Sequence, residues 1–265
     1  MKRSMGNTKT NYELRMKNKI QTILLLATLG AGGVQAQDFK LAKSSGRLEL
    51  NIGKVIVEGH TGNEIIFSSG DREKDKDERA QGLREINSLG LDDNTGLGIN
   101  VSEKGDVVTV HQLKKMNSPK IKILVPKGVI VSYSYESQYG GEVQFNNMEN
   151  EIEVSAQYNS MELNNCSGPV TVKTIYGHVE AIFDSNSKGP ISIVSVYGYV
   201  DVTLPQTTKA NIKISTSYGE IYAASEFKIE MDRPGESDRV SGKINGGGMN
   251  IDLSCNYGKV YLRKK

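Results

Sequence analysis

The sequence predicts an all-β, single-domain β-solenoid, a β-helix-like coil with rungs of about 20 residues. Three observations predict it. A Tyr-Gly step recurs at Tyr139, Tyr158, Tyr176, Tyr197, Tyr218 and Tyr257, at intervals of 19, 18, 21, 21 and 39 residues. Apolar residues alternate with period two on either side of the step, as in half-buried strands. The residue two before each Tyr is always small: Ser137, Ala156, Thr174, Ser195, Thr216 and Cys255. An antiparallel sandwich of hairpins would also alternate. It would not bring the same columns back in register every 18 to 21 residues.

Residues 1–36 read as a leader. A basic start at Met16-Lys17-Asn18-Lys19 precedes an apolar run from Ile20 to Leu29 and a small-residue site, Val34-Gln35-Ala36. That is the pattern of a secretory signal peptide. The apolar run is too short for a span of roughly 20 residues, so no transmembrane helix is expected in the mature chain. The polar stretch before it leaves open whether translation starts at Met1 or Met16. Export places the mature chain in the periplasm, on the cell surface or in the medium. The leader carries six Lys and Arg and one Glu, so 27 basic and 30 acidic residues remain, a net charge of −3. Charges of both signs are interspersed, which gives no footprint for nucleic acid.

Residues 37–131 supply strands that begin the solenoid, among them Leu48-Glu49-Leu50, Val55-Ile56-Val57 and Ile121-Lys122-Ile123. A charged insertion at 71–90 interrupts them and reads as a solvated loop or short helix. Residues 132–265 form the Tyr-Gly repeat. After each Tyr stands Gly140, Asn159, Gly177, Gly198, Gly219 or Gly258. Gly and Asn are the residues that most readily take positive φ, so a left-handed turn is expected at every copy. Parity places each Tyr on the inward face, ring on ring, with the small column leaving room for it. The 39-residue step holds either a rung that lost its Tyr-Gly or an insertion over 226–248. Cys255 falls in the small column and Cys166 in a connector. With four to five rungs between them they are expected to be free thiols.

The pattern resembles the bacterial adhesin-like family of the DUF4097 type, from Asp38-Phe39-Lys40-Leu41 to the C-terminus. The elements that carry the resemblance are Gly53-Lys54-Val55-Ile56-Val57-Glu58-Gly59, Ile123-Leu124-Val125-Pro126 and the serial Tyr-Gly rungs. It implies an exported single-domain β-solenoid and brings no catalytic residues with it.

The residues offer little chemistry. His60, His111 and His178 lack metal-ligand spacing, and there is no nucleophile elbow or P-loop. No cofactor is expected. Four residues after successive Tyr stand Glu162, Glu180 and Asp201, continued by Tyr222 and Tyr261. Stacked in register, the three acids would repel unless compensated, for instance by Lys173. The column is a candidate cation or glycan strip. The expected function is a non-catalytic module presenting a repetitive surface to a glycan or an envelope protein. The alternative is a carbohydrate-active enzyme or Ca²⁺-binding solenoid that uses those acids.

Overall fold

In the computed structural model, residues 38–70, 79, 81–83, 86–116, 119–232 and 238–265 are described. The leader at 1–36, much of the insertion at 71–90 and most of the loop at 232–236 lie outside them.

The N-terminal strands are β1 (Phe39–Leu41), β2 (Ser45–Asn51), β3 (Val55–His60), β4 (Ile65–Ser69), β5 (Ile99–Lys104), β6 (Val107–Gln112) and β7 (Ile121–Pro126). Four rungs follow in chain order. They are β8 (Gly128–Tyr135) with β9 (Glu142–Asn146), β10 (Ile152–Ala156) with β11 (Ser160–Cys166), β12 (Val170–Thr174) with β13 (Val179–Phe183), and β14 (Ile191–Ser195) with β15 (Val200–Leu204). The C-terminal part holds β16 (Ala210–Thr216), β17 (Ile221–Ala223), β18 (Ile229–Met231), β19 (Arg239–Ile244), β20 (Met249–Cys255) and β21 (Val260–Lys264). Two sheets enclose one core. The first runs β1-β4-β7-β3-β9-β11-β13-β15-β21-β17, and the second β18-β19-β16-β20-β14-β12-β10-β8-β2-β6-β5. Rung pairs to rung in parallel, with like positions aligned: Ile152, Val170 and Ile191 form one column, and Val154, Val172 and Ile193 the next. These side chains are at most 4% exposed. Fully burying one such chain stabilises the fold by roughly 1.5–3 kcal/mol, so the periodic apolar positions hold the coil together.

Rung order departs from chain order at both ends. The pair β2/β3 lies between β6/β7 and β8/β9, and the final pair β20/β21 lies between β14/β15 and β16/β17. The 39-residue step is therefore neither a decayed rung nor a surface insertion. It carries the chain past one vacant slot, out through β18 and β19, which pair antiparallel at the edge of the second sheet, and back to fill the slot. The other end is capped by β5 on β6, by β4 on β7 and by β1 on β4, each pair antiparallel. Capping strands of opposite direction stop the stack from templating further parallel rungs.

The rung order also corrects the spacing of the thiols. Cys166 and Cys255 lie three rungs apart in the stack, roughly 14 Å at the strand spacing. Both are buried and free.

Candidate functional site

The Tyr-Gly corners line one flank of the coil. Tyr158, Tyr176, Tyr197, Tyr257 and Tyr218 stack in that order, with centroids 5.1, 5.1, 4.8 and 5.0 Å apart and interplanar angles of 8–17°. The backbone zip continues through the corner and sets this register: Tyr176 N–H donates to Gln157 O at 2.7 Å, Tyr197 N–H to Ile175 O at 2.8 Å and Tyr257 N–H to Val196 O at 2.9 Å. The rings stack as expected, but outward. Their exposure runs from 43% at Tyr158 to 74% at Tyr218. Tyr139 is not in the file, and Lys115 Nζ sits 5.9 Å from its ring.

The reason is visible at the neighbouring positions. The strand ends on the small residue two before the Tyr, and the chain bends there. The small side chain points in and the residue after the Tyr is turned onto the rung beneath it. A Cβ on Gly177, Gly198, Gly258 or Gly219 would overlap the carbonyl oxygen one rung away: Asn159 O, Gly177 O, Gly198 O and Gly258 O respectively. None of these glycines has positive φ. Close approach of rungs selects glycine, and the expected left-handed turn is absent.

Asn159 is accommodated because the first corner, Gly140-Gly141, is glycine-rich. Its Nδ2 donates to Gly53 O at 2.9 Å and Gly141 O at 2.7 Å. A Cβ on Gly140 would strike that amide. The small column does not make room for rings. It satisfies the carbonyls beneath it: Thr174 Oγ1 donates to Asn159 O at 3.1 Å, Ser195 Oγ to Gly177 O at 2.8 Å and Thr216 Oγ1 to Gly258 O at 3.1 Å. The Cys255 thiol faces Gly198 O at 3.3 Å, and burial pushes its pKa up.

The acidic column lies on the outer face of the first sheet. Gln144, Glu162, Glu180, Asp201, Tyr261 and Tyr222 occupy successive rungs, with Tyr261 ahead of Tyr222 because of the rung order. Lys173 is on β12 in the other sheet and compensates none of the acids. Their partners are local. Arg263 Nε donates to both Asp201 oxygens at 2.7 and 2.9 Å, with its guanidinium 5.2 Å from the Tyr261 ring. The Tyr199 hydroxyl donates to Glu180, and Gln144 Nε2 to Glu162 at 3.1 Å.

Hydrogen bonding with Glu142, burial and the charges of Glu142 and Glu180 push the Glu162 carboxyl up to about 7. The Glu142 carboxyl is correspondingly lowered. Burial first, then Glu180, raises the Tyr199 phenol to about 12. Among the described residues, no three His, Cys, Asp or Glu side chains converge as metal ligands would. A second aromatic run crosses the same face. His178 stacks on Tyr199 at 4.6 Å, Tyr199 meets Tyr261 edge-on at 6.4 Å, and Tyr261 stacks on Tyr222 at 5.5 Å. The period already aligns His178 with Tyr199 and Tyr222 with Tyr261, but only rung order brings the two pairs together.

Among the described residues no helix is long and apolar enough to cross a membrane. No curated protein matches the sequence. Two solved structures are similar at low identity. One is a proposed cell adhesion protein from Clostridium sporogenes ATCC 15579, at 14% identity and a TM-score of 0.45, covering 87% of this chain and 100% of that one. The other is a proposed adhesin from Bacteroides fragilis NCTC 9343, at 11% identity and a TM-score of 0.30, covering 88% and 98%. Residues 140–263, the segment that holds the stacked tyrosine rungs, match the family model described as Toastrack DUF4097.

Proposed function

We propose that the chain is a non-catalytic, exported, adhesin-like module that holds a glycan or a protein at the cell envelope through its Tyr-Gly flank. One observation carries the reading: five tyrosines stand in file and all remain 43% or more exposed. Stacking is worth about 0.5–1.5 kcal/mol per pair, and a contiguous exposed aromatic strip marks a contact surface. The acids of the neighbouring face are engaged by Arg263, Tyr199 and Gln144, and among the described residues no three converge as cation ligands would. The reading is tested by immobilising the purified chain and screening glycans and purified envelope proteins. Tyr176→Ser, Tyr197→Ser and Tyr257→Ser combined should abolish retention of the partner with strand content intact. Retention equal to that of the unaltered chain would refute it.

A carbohydrate-active reading is favoured by one feature, the Glu142–Glu162 pair, whose values are pushed apart as in an acid and base couple. Polysaccharide cleavage that Glu162→Gln removes would establish it. The module reading predicts no cleavage to remove.

A further inference from the structure

Resting on the module reading, we propose that the tyrosine file is a subsite array for a neutral, linear polysaccharide lying along the solenoid axis, with one sugar unit per rung. Charge is the first argument. The Tyr, the residue before it and the residue after it make fifteen positions over five rungs, and none is Lys, Arg, Asp or Glu in a chain that is 24% charged. Two residues after Tyr218 and Tyr257 stand Glu220 and Lys259, which neutralise each other in an ion pair at 3.3 Å, so the strip complements an uncharged ligand.

Hydrogen bonding is the second argument. Unlike the hydroxyls of Tyr135 and Tyr199, which are engaged with Gln112 and Glu180, none of the five phenol hydroxyls has a protein partner among the described residues. The ring faces are occupied by one another, so the strip presents C–H edges and a row of free O–H groups. That surface suits a ligand rich in hydroxyls and gives an aliphatic one little to bury against.

Repeat length is the third argument. Rings recur every 4.8–5.1 Å along the axis. An extended peptide advances about 3.3 Å per residue and falls out of step. A pyranose with its glycosidic oxygen advances by about one rung and stays in step. Each contact is weak, and affinity accumulates by repetition along the strip.

The proposal is tested by titrating the purified chain, in a calorimeter, with β-1,4-glucosyl, β-1,3-glucosyl and β-1,4-N-acetylglucosaminyl oligosaccharides of graded length. Affinity for one series should climb unit by unit and level off at about five units, the number of stacked rings. Tyr176→Phe, Tyr197→Phe and Tyr257→Phe combined keep the ring stack and remove three hydroxyls. Affinity should fall about tenfold or more with the melting temperature unchanged. The proposal is overturned if no series binds, if affinity ignores length, or if the Phe variant binds as tightly as the unaltered chain. A purified envelope protein that the Ser variant fails to retain, with no oligosaccharide bound, would overturn it while sparing the module reading. If nothing bound depends on the tyrosines, both fail.

Discussion

The two corners of each rung solve different problems with the same two residue types. At the Tyr-Gly corner the backbone stays at negative φ, and glycine serves because consecutive rungs touch there carbonyl to Cα. At the return corner the demand is on the dihedral. Asn147, Asn165 and Asn245 are the non-glycine residues with positive φ among the described residues, at 54°, 55° and 51°; the first two lie where the chain comes back from the first sheet to the second, and Asn245 lies in the turn from β19 to β20. Asparagine tolerates that region because its short amide bonds locally. Here Asn165 Nδ2 reaches Asn147 Oδ1 at 3.4 Å, and Asn245 Nδ2 donates to Gln206 O at 2.9 Å and Thr208 O at 2.8 Å. Glycine thus reports crowding, at Gly198 and again at Gly168 of a return corner, whereas asparagine at 147 and 165 reports handedness.

Substitutions separate the two demands. The largest effect is expected for Gly198→Ala. The added methyl meets the Gly177 carbonyl, and prying two rungs apart should cost about 1–3 kcal/mol or more, read by denaturant unfolding. If alanine is accepted there without loss, crowding is not what selects glycine. At the return corner the order should reverse. Asn165→Ala should cost about 1–2 kcal/mol of left-handed strain, whereas Asn165→Gly should cost less than the alanine change. Equal costs for the two would contradict a dihedral origin.

A smaller, pH-dependent effect belongs to the flat face between the corners. The Glu162 carboxyl is raised to about 7, so its protonated form is the one the fold favours. Its contribution is complete below the ordinary carboxylate value and disappears as pH climbs through about 7. Glu142, lowered by the same hydrogen bond, runs the other way and loses its contribution as pH falls. Glu162→Gln should therefore raise the melting temperature at pH 8 and leave it nearly unchanged at pH 5. A uniform shift at both values would dissociate the effect from that carboxyl.

Much of the fold was legible because strand periodicity and stacked columns are local properties. Ile152, Val170 and Ile191 announce their alignment by their distance from the next Tyr. Rung order was not legible. Every rung presents the same edges, so nothing local forbids β20 from docking on β14 in place of β16. Only the 39-residue interval hinted at an excursion. The side on which the tyrosines stand was misread because parity was carried one step past the end of the strand. The small residue closes the inward series, and the bend begins with the next one. Arg263 escaped notice because it meets Asp201 diagonally across a rung boundary that chain order does not contain.

The interleaving of the first and last rungs limits how such a coil can change length. A repeat appended after β21 would have no vacant berth, since both edges of that strand are already occupied. Duplication or deletion is accommodated only where chain order and spatial order coincide, from β8 to β15. Relatives of this architecture should accordingly differ in the number of middle windings and keep both locked ends.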